Sequence, residues 1–227
     1  MRKFLRKLAI DASNRVKNPL LRARLKERDF TIVSNNCWGS HIYQHLGEQY
    51  RTPFIGLYVD PECYVRLVNR TRWYLAQDVT FIDESRHDRV NLFRAKQRHR
   101  FPIGLIGGDV ELQFLHYESP QEALDKWSRR AARVSQDDQR FFYKFCDRDA
   151  SLEHLTAFDA APVAHKVCFV ADPSVKLQSA VYIPGSRDGQ VPDGKKLSRI
   201  SPRYFDAAAW INSGDGRPHW WRPLRCA

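Results

Sequence analysis

The sequence predicts an α/β fold, with a three-layer, Rossmann-like arrangement of helices around a mixed sheet in a single domain. Short apolar runs rich in β-branched and aromatic residues alternate with longer segments whose apolar residues recur at helical spacing. Small polar clusters follow several of the apolar runs, as they do where strands lead into helices. With 227 residues, 43% of them hydrophobic, and neither a repeat nor a long linker, the chain can bury one sizeable core.

The first predicted strand, turn and helix occupy residues 30–46. The run 30–33 is apolar, residues 34–37 are small and polar, and apolar residues then recur every three or four positions. A helix that begins there offers unpaired backbone N–H groups and a positive dipole end, which suit a phosphate or a carboxylate. The alternative is that Ser34 or Asn36 only caps the helix. The candidate ligand-binding residues of this junction are Asn35, Asn36, Cys37, Gly39 and Ser40.

A second strand and helix are predicted around Asp60. The apolar run 54–59 has the length of a buried strand, and Pro61 suits the first position of a helix with Asp60 as its N-cap. A third short strand is predicted at 79–82. The following stretch, 83–100, is polar and crowded with basic side chains, so it is either a loop that folds over an anionic ligand or a solvated charge run.

Residues 101–117 contain the candidate acid and base groups. Two apolar runs are separated by Gly107 and Gly108, which indicates either two strands joined by a tight turn or one bent strand. Asp109, Glu111 and His116 are the polar groups of this region that can face a cleft, and we expect them to be catalytic. For His116 the alternative is an ordinary packing histidine. A helix is predicted to start at Ser119-Pro120, with a capping box.

Strands are predicted at 141–145 and 166–170, with a helix from 152 to 158 between them. In open α/β sheets ligands bind beyond the carboxyl ends of the strands, so Asp60, Asp147 and Asp149 are candidate ligand-binding residues. A carboxylate pair can hold Mg²⁺ or Mn²⁺, which would bridge the phosphates of a nucleotide donor. The alternative is that Arg148 pairs with a neighbouring carboxylate. The sequence therefore leaves the cofactor and any metal ligands open.

The chain divides into a basic amphipathic N-terminal segment (1–29), an α/β core (30–172) and an irregular C-terminal extension (173–227). Residues 1–29 carry ten basic and three acidic side chains, most of the net charge of +11. This segment is either attached to an anionic membrane surface or an ordinary solvated helix. Nucleic acid is disfavoured as a partner, because no recognition motif accompanies the charge.

The five cysteines are scattered without a CxxC pair, so neither a disulfide framework nor a zinc site is indicated. Cys63, Cys146 and Cys168 lie in apolar surroundings and are predicted core residues. Cys37, at a helix start, is either a nucleophilic thiol or a structural one. No signal sequence or bilayer-length apolar run occurs, so we expect a cytoplasmic protein, peripheral on the inner membrane if residues 1–29 bind it.

Motifs of the common enzyme classes are absent from the sequence. It contains no GxGxxG, Walker loop, GxSxG or HExxH pattern, which argues against the familiar dinucleotide, NTP, serine-hydrolase and zinc-protease classes.

Three stretches together carry a family resemblance. They are SNNCWGSHIYQHLGEQYRTPFIGLYVDPECYVRL, FPIGLIGGDVELQFLHYESPQEALDKWSRRAARV, and FFYKFCDRD with HKVCFVA. In order and spacing they resemble the bacterial family called domain of unknown function nineteen-nineteen (DUF1919), over about residues 30–172.

The resemblance implies a three-layer α/β domain and an association with exopolysaccharide, capsule or lipopolysaccharide biosynthesis, and it supplies no catalytic residues. We therefore expect a transferase that uses a nucleotide sugar or other activated, phosphate-bearing donor, or a lipid-linked acceptor. The alternative is a non-catalytic module that binds a glycan intermediate or a partner synthase.

Overall fold

The structure, a computed structural model, describes residues 18–97, 100–184 and 189–217. Most of the basic segment 1–29 lies outside these ranges, and so does the membrane-surface prediction made for it. Residues 18–24 are helical. In the described part of the chain, no helix has the length and apolar character needed to span a bilayer.

The predicted α/β class is confirmed, with seven strands in the described residues. In chain order they are β1 (Thr31–Ser34), β2 (Val79–Ile82), β3 (Ile103–Ile106), β4 (Val110–Gln113), β5 (Phe141–Cys146), β6 (His165–Val170) and β7 (Ala180–Tyr182). A four-stranded parallel sheet has the order β1-β5-β6-β7, and a three-stranded antiparallel sheet has the order β2-β3-β4. In the parallel sheet Thr31 pairs with Phe141, and Phe142 pairs with His165.

A short connection joins the two sheets. Tyr58 exchanges both backbone hydrogen bonds with Gln113 of β4, at 2.9 Å each, and the Val59 N–H donates to the Asn35 carbonyl just after β1, at 2.9 Å. The strand predicted at 54–59 is therefore wrong except at this bridge. Gly56 adopts a φ of 70° and turns the chain there, so the run is buried as an irregular segment.

Eight helices follow residue 37 in the described part of the chain, and those of the two main core layers pack on both faces of the parallel sheet. In chain order they are α1 (Trp38–Leu46), α2 (Pro61–Asn69), α3 (Thr71–Leu75), α4 (Asp88–Ala95), α5 (Pro120–Ala131), α6 (Leu152–Ala160), α7 (Gly194–Ile200) and α8 (Ala207–Ser213), with 3₁₀ turns at Asp138–Arg140 and Ser201–Arg203. The predicted N-caps of α2 and α5 are confirmed, because Asp60 and Ser119 accept the backbone N–H of Glu62 and Glu122. The predicted polar loop 83–100 contains a helix, α4.

The core forms two aromatic layers, one on each face of the parallel sheet. On one face Tyr64 of α2 stacks on Phe145, with ring centroids 5.1 Å apart. On the other face Trp38 of α1 packs against Phe169 and against Trp210 of α8. This is the predicted three-layer arrangement.

The described part of the C-terminal extension, residues 173–184 and 189–217, belongs to this core. It was predicted to be irregular, yet it supplies the edge strand β7 and the helices α7 and α8. The indole N–H of Trp38 donates to the Ser201 hydroxyl at 3.0 Å, so the region is tied to the start of α1.

Candidate functional site

A cavity of about 760 Å³ lies at the carboxyl edge of the parallel sheet, against the N-terminus of α1. The segment 55–58, helix α4, the residues after β4 and the start of α7 complete its boundary. This is the edge at which open α/β sheets bind ligands. We define its apolar wall as the side chains of Ile55, Leu57, Val90, Phe93, Phe101 and Leu115.

A thiol and an imidazole meet in this cavity. The Sγ of Cys37 lies 3.4 Å from the Nε2 of His116, which follows β4. The backbone holds His116 in place, because its N–H donates to the Gly56 carbonyl at 3.1 Å. The structure thus brings together two residues from separate elements. The sequence predicted each of them as a site residue but did not predict their contact.

Cys37 immediately precedes α1, whose start is fixed by its neighbours. The side-chain oxygen of Asn36 accepts the Trp38 N–H at 3.1 Å. Gly194 of α7 lies so close that a Cβ there would be 2.6 Å from the Trp38 nitrogen and 3.0 Å from the Cys37 nitrogen. Only glycine permits this approach of α7 to the start of α1. The C-terminal region therefore supports the position of the thiol.

The surroundings of Cys37 favour the protonated thiol. Burial raises the pKa of Cys37, while the charge of Lys144 lowers it and that of Asp193 raises it again. Because the pKa lies above the ordinary cysteine value, the thiol is mostly protonated at neutral pH. Reaction as a nucleophile then requires a nearby base, and the imidazole of His116 is within proton-transfer reach.

A buried lysine lies beside the start of α1. Lys144 of β5 is fully buried, and its Nζ donates to the side-chain oxygens of Asn35 and Asn36 at 3.0 Å each. Its third neighbour is the sulfur of Cys146, at 3.4 Å. Burial lowers the pKa of Lys144, since the charged amine loses its hydration. Lys144 thus orients the Asn36 side chain that caps α1.

Gln113 lines the cavity and carries an unpaired polar atom. Its side chain is fully buried, and its Nε2 donates to Glu111 Oε2 at 3.4 Å. That contact to a carboxylate fixes the amide orientation and leaves Oε1 without a hydrogen-bond partner among the described residues. A buried carbonyl oxygen of this kind loses free energy unless a ligand or water donates to it.

Charged side chains line the rest of the cavity. Arg89 of α4 is held by ion pairs with Asp60 and, at 3.1 Å, with Asp149. Arg148 and the exposed Lys195 also line the cavity, as does Asp193. Burial lowers the pKa of His41, and the charges of Lys195 and Arg199 lower it further. These neighbours indicate a positive potential near His41, which favours an anionic ligand group.

Five of the predicted site residues are brought together. The residues that line the cavity are Asn36, Cys37, Ser40, His116 and Asp149. Asn35 lies behind them and binds Lys144. Gly39 packs on β1, where a Cβ would be 2.9 Å from the Ser34 side chain, so it serves helix packing. Asp60 reaches the cavity only through Arg89.

The carboxylates predicted as acid and base groups lie elsewhere. Asp109, in the β3–β4 turn, accepts the Tyr74 hydroxyl at 3.0 and 3.1 Å. Glu111 is fully buried and accepts the Arg86 N–H at 2.8 Å. Neither lines the cavity, so of the three predicted catalytic residues the structure places only His116 there. A catalytic role for the other two stays a prediction with no cavity contact to support it.

Asp147 also has a local role in the structure. Its two oxygens accept the backbone N–H groups of Ala171 and Val191 at 2.6 and 2.8 Å, which ties two loops to the end of β5. Burial raises its pKa. Among the described residues, no cluster of three or more His, Cys, Asp or Glu side chains is arranged to hold a metal ion. The predicted use of Mg²⁺ or Mn²⁺ therefore stays a prediction.

Sequence reasoning missed three site residues. Lys144 interrupts the apolar run FFYKFC, and a lysine in a buried strand was a usable signal. Arg89 was one of several arginines in a polar stretch, and Gln113 one of several polar residues in β4, so neither carried a distinguishing signal. Arg89 and Gln113 are recognised as site residues only because they line the cavity.

The chain is similar to known proteins over most of its length. The model of the family described as "Domain of unknown function (DUF1919)" matches residues 10–212, a wider range than the segments that carry the resemblance. A protein of Haemophilus influenzae (strain ATCC 51907 / DSM 11121 / KW20 / Rd), described as "Uncharacterized protein", is 31% identical over 201 residues. That match covers 86% of this chain and 90% of the relative.

Proposed function

The chain belongs to the DUF1919 family, and we propose that it is a transferase of bacterial cell-surface polysaccharide assembly. Its substrate is a phosphate-bearing donor or a lipid-linked acceptor. The observation that carries the proposal is a single cavity in which an apolar wall, cationic side chains and a thiol–imidazole pair meet. The polysaccharide setting is supported by the family resemblance of the sequence, and peripheral attachment to the inner membrane by the basic segment 1–29.

The cationic side chains suit a phosphate. Arg148 and Lys195 line the cavity beside the N-terminus of α1, where the backbone N–H groups of the first turn have no acceptor within the helix. Arg89 is engaged with Asp60 and Asp149, so Arg148 and Lys195 are the better candidates for the anion. An anionic group at this place would gain both charge attraction and hydrogen bonds.

The apolar wall suits a lipid or acyl group. Phe93 of α4 is 49% exposed, and Phe101 and Leu115 lie in the same cavity. A bare sugar presents hydroxyl groups that need polar partners, whereas a prenyl or acyl chain gains free energy from apolar contact. The cavity therefore fits a molecule with an apolar part and a phosphate better than a simple glycan.

The second candidate is a non-catalytic binding module. It is favoured by one observation: the carboxylates of Asp60 and Asp149 are paired with Arg89 and are not free for acid–base chemistry. A thiol–imidazole pair in the same cavity favours the transferase, because binding alone does not require it. Conversion of a bound substrate to product supports the transferase, whereas binding without conversion supports the binding module.

The test is a thermal-shift screen of the full chain with farnesyl phosphate, UDP-sugars and acyl-CoA, each with and without Mg²⁺ or Mn²⁺. A ligand that binds only the native state raises the melting temperature. We expect Lys195→Ala to weaken that ligand about fivefold, because it removes one exposed charge from the cavity. Lys196→Ala is the matched control, since the neighbouring Lys196 is also exposed and does not line the cavity.

Two results would count against the proposal. If none of these ligands raises the melting temperature, the cavity does not bind a phosphate-bearing substrate. If one of them binds but no group is transferred to any acceptor offered, the binding module replaces the transferase.

A further inference from the structure

We propose that Cys37 is the nucleophile of an acyl transfer, that His116 is its general base, and that the donor is an acyl thioester such as acyl-CoA. The inference rests on the proposed function, because the cavity must bind a phosphate-bearing donor. It narrows that donor to one chemical class and assigns the reacting atoms.

The first support is the geometry of the pair. The Cys37 sulfur and the His116 Nε2 are 3.4 Å apart, and both side chains line the cavity. Cys37 is half-buried, whereas Cys63, Cys146 and Cys168 are buried. Among the described cysteines, Cys37 alone lines the cavity and can meet a substrate there. Thiols beside an imidazole are suited to attack on acyl carbonyl groups.

The reaction is balanced with these groups alone. The Cys37 sulfur attacks the thioester carbonyl carbon while its proton passes to Nε2 of His116, so a new C–S bond forms. The C–S bond to the donor thiol then breaks, and His116 returns the proton to the departing sulfur. In the second half, an acceptor hydroxyl attacks the carbonyl carbon of the acyl-Cys37 thioester, and His116 takes the hydroxyl proton as the C–O bond forms. The C–S bond to Cys37 then breaks, and His116 returns that proton to the departing Cys37 sulfur.

The start of α1 is placed to stabilise the transition state. The backbone N–H group of Ser40, which lines the cavity, belongs to the first helical turn and has no acceptor within the helix. It lies three residues after the nucleophile, at the positive end of the helix dipole. Donors at this place can stabilise the negative oxygen that develops on the acyl carbonyl group.

Gln113 provides the second, independent observation. Gln113 lines the same cavity, and its Oε1 is buried and has no partner among the described residues. A carbonyl oxygen requires a hydrogen-bond donor, and a sugar hydroxyl is such a group. The proton of the reacting hydroxyl passes to His116, so we assign Gln113 to a neighbouring hydroxyl of the acceptor sugar. We assign the apolar wall to the acyl chain. The product is then an O-acylated sugar.

The experiment incubates the full chain with acetyl-CoA or octanoyl-CoA without acceptor and follows the intact mass. We expect one acyl group per chain, located on the Cys37 peptide and removed by neutral hydroxylamine, as a thioester is. Cys37→Ala should take up no acyl group. His116→Gln should slow acylation about 100-fold. His87→Gln is the matched control and should acylate at the wild-type rate, because His87 contacts Cys63 instead.

Each outcome separates this inference from the proposed function. If acyl-CoA raises the melting temperature but Cys37 is not acylated, or if His116→Gln acylates at the wild-type rate, the inference falls and the proposed function stands. If only UDP-sugars or farnesyl phosphate bind, the donor assignment falls in the same way. If nothing binds, both fall. Thermal melting of each variant checks its fold, and Cys37→Ser replaces Cys37→Ala if the latter does not fold. The serine variant should give no hydroxylamine-sensitive adduct.

Discussion

The described residues contain two cysteine–histidine pairs that have the same sulfur–nitrogen distance but different surroundings. The Sγ of Cys37 lies 3.4 Å from Nε2 of His116, and the Sγ of Cys63 lies 3.4 Å from Nε2 of His87. The first pair faces the cavity, whereas the second lies between α2, the start of α4 and β4. A short sulfur–nitrogen distance alone therefore does not show whether a cysteine can react with a substrate.

The Cys63 pair is a structural contact. Cys63 is 2% exposed, and its sulfur accepts the Glu111 N–H at 3.4 Å. Burial, together with the carboxylates of Asp60, Glu111 and Glu62, raises the pKa of Cys63 to about 12. The thiol is thus inaccessible, and the neighbouring carboxylates would repel its ionised, negatively charged form.

The Cys37 pair differs in access and in neighbouring charge. Cys37 lines the cavity, and although burial raises its pKa too, the charged neighbour with the largest influence on that pKa is Lys144, which lowers it. Access and neighbouring charge, not the sulfur–nitrogen distance, therefore distinguish a candidate nucleophile from a packing residue. Three predictions test this distinction, in order of decreasing effect.

The largest expected effect is on alkylation of the native protein. Iodoacetamide should modify Cys37 at least about a thousandfold faster than Cys63, because Cys63 reacts only when the surrounding structure opens. Peptide mass mapping over time measures both rates. In denaturant the two rates should become similar, which is the control. Comparable rates in the native protein would show that burial does not separate the pairs.

The next effect is on stability at alkaline pH. The folded Cys63 thiol keeps its proton up to about pH 12, whereas the unfolded thiol ionises at its ordinary, lower pKa. The stabilisation from the protonated thiol is complete below the unfolded pKa and is lost between the two pKa values. The loss amounts to up to about 1.4 kcal/mol for each pH unit above the unfolded pKa of about 8.5.

Urea unfolding between pH 8 and pH 11 measures this dependence. The free energy of unfolding should fall less steeply with pH for Cys63→Ala than for wild type. Cys37→Ala should flatten the dependence less, since its thiol is only half-buried. The interpretation fails if Cys63→Ala and wild type have parallel pH dependences.

The smallest effect concerns the charge near Cys37. Lys144→Met should raise the apparent pKa of Cys37 alkylation, because a positive neighbour is removed. The alkylation rate as a function of pH reports this pKa. The change should also destabilise the fold by about 1–3 kcal/mol, because the Asn35 oxygen loses its Nζ donor, whereas the Asn36 oxygen keeps the Trp38 N–H.

Lys166→Met is the matched control for Lys144→Met. Lys166 is a partly buried lysine of the neighbouring strand β6, and its Nζ is held by the Asp159 and Ala161 carbonyls. Lys166→Met should leave the alkylation pKa of Cys37 unchanged. If the pKa of Cys37 is unchanged or lowered in Lys144→Met, the charge of Lys144 does not lower that pKa in the native protein.

Local signals were enough to predict most elements of the fold. The pairs Asp60-Pro61 and Ser119-Pro120 begin helices, and the run 79–82 is a strand. Such features depend on neighbours in sequence, which is why the pattern shows them. The candidate site was less predictable. In β4 every residue is buried, so alternation could not show which side chains face a cavity, and Glu111, expected to face a cleft, does not line the cavity.

The sequence by itself determined the α/β class, the order of most strands and helices, and the position of Cys37 at a helix start. Tertiary structure alone decided which histidine each cysteine contacts and which polar groups share a cavity. Cys37 and His116 are 79 residues apart, and they meet only because the segment 55–58 connects the two sheets. Contacts of this kind depend on the packing of distant elements, and no local pattern of residue types encodes them.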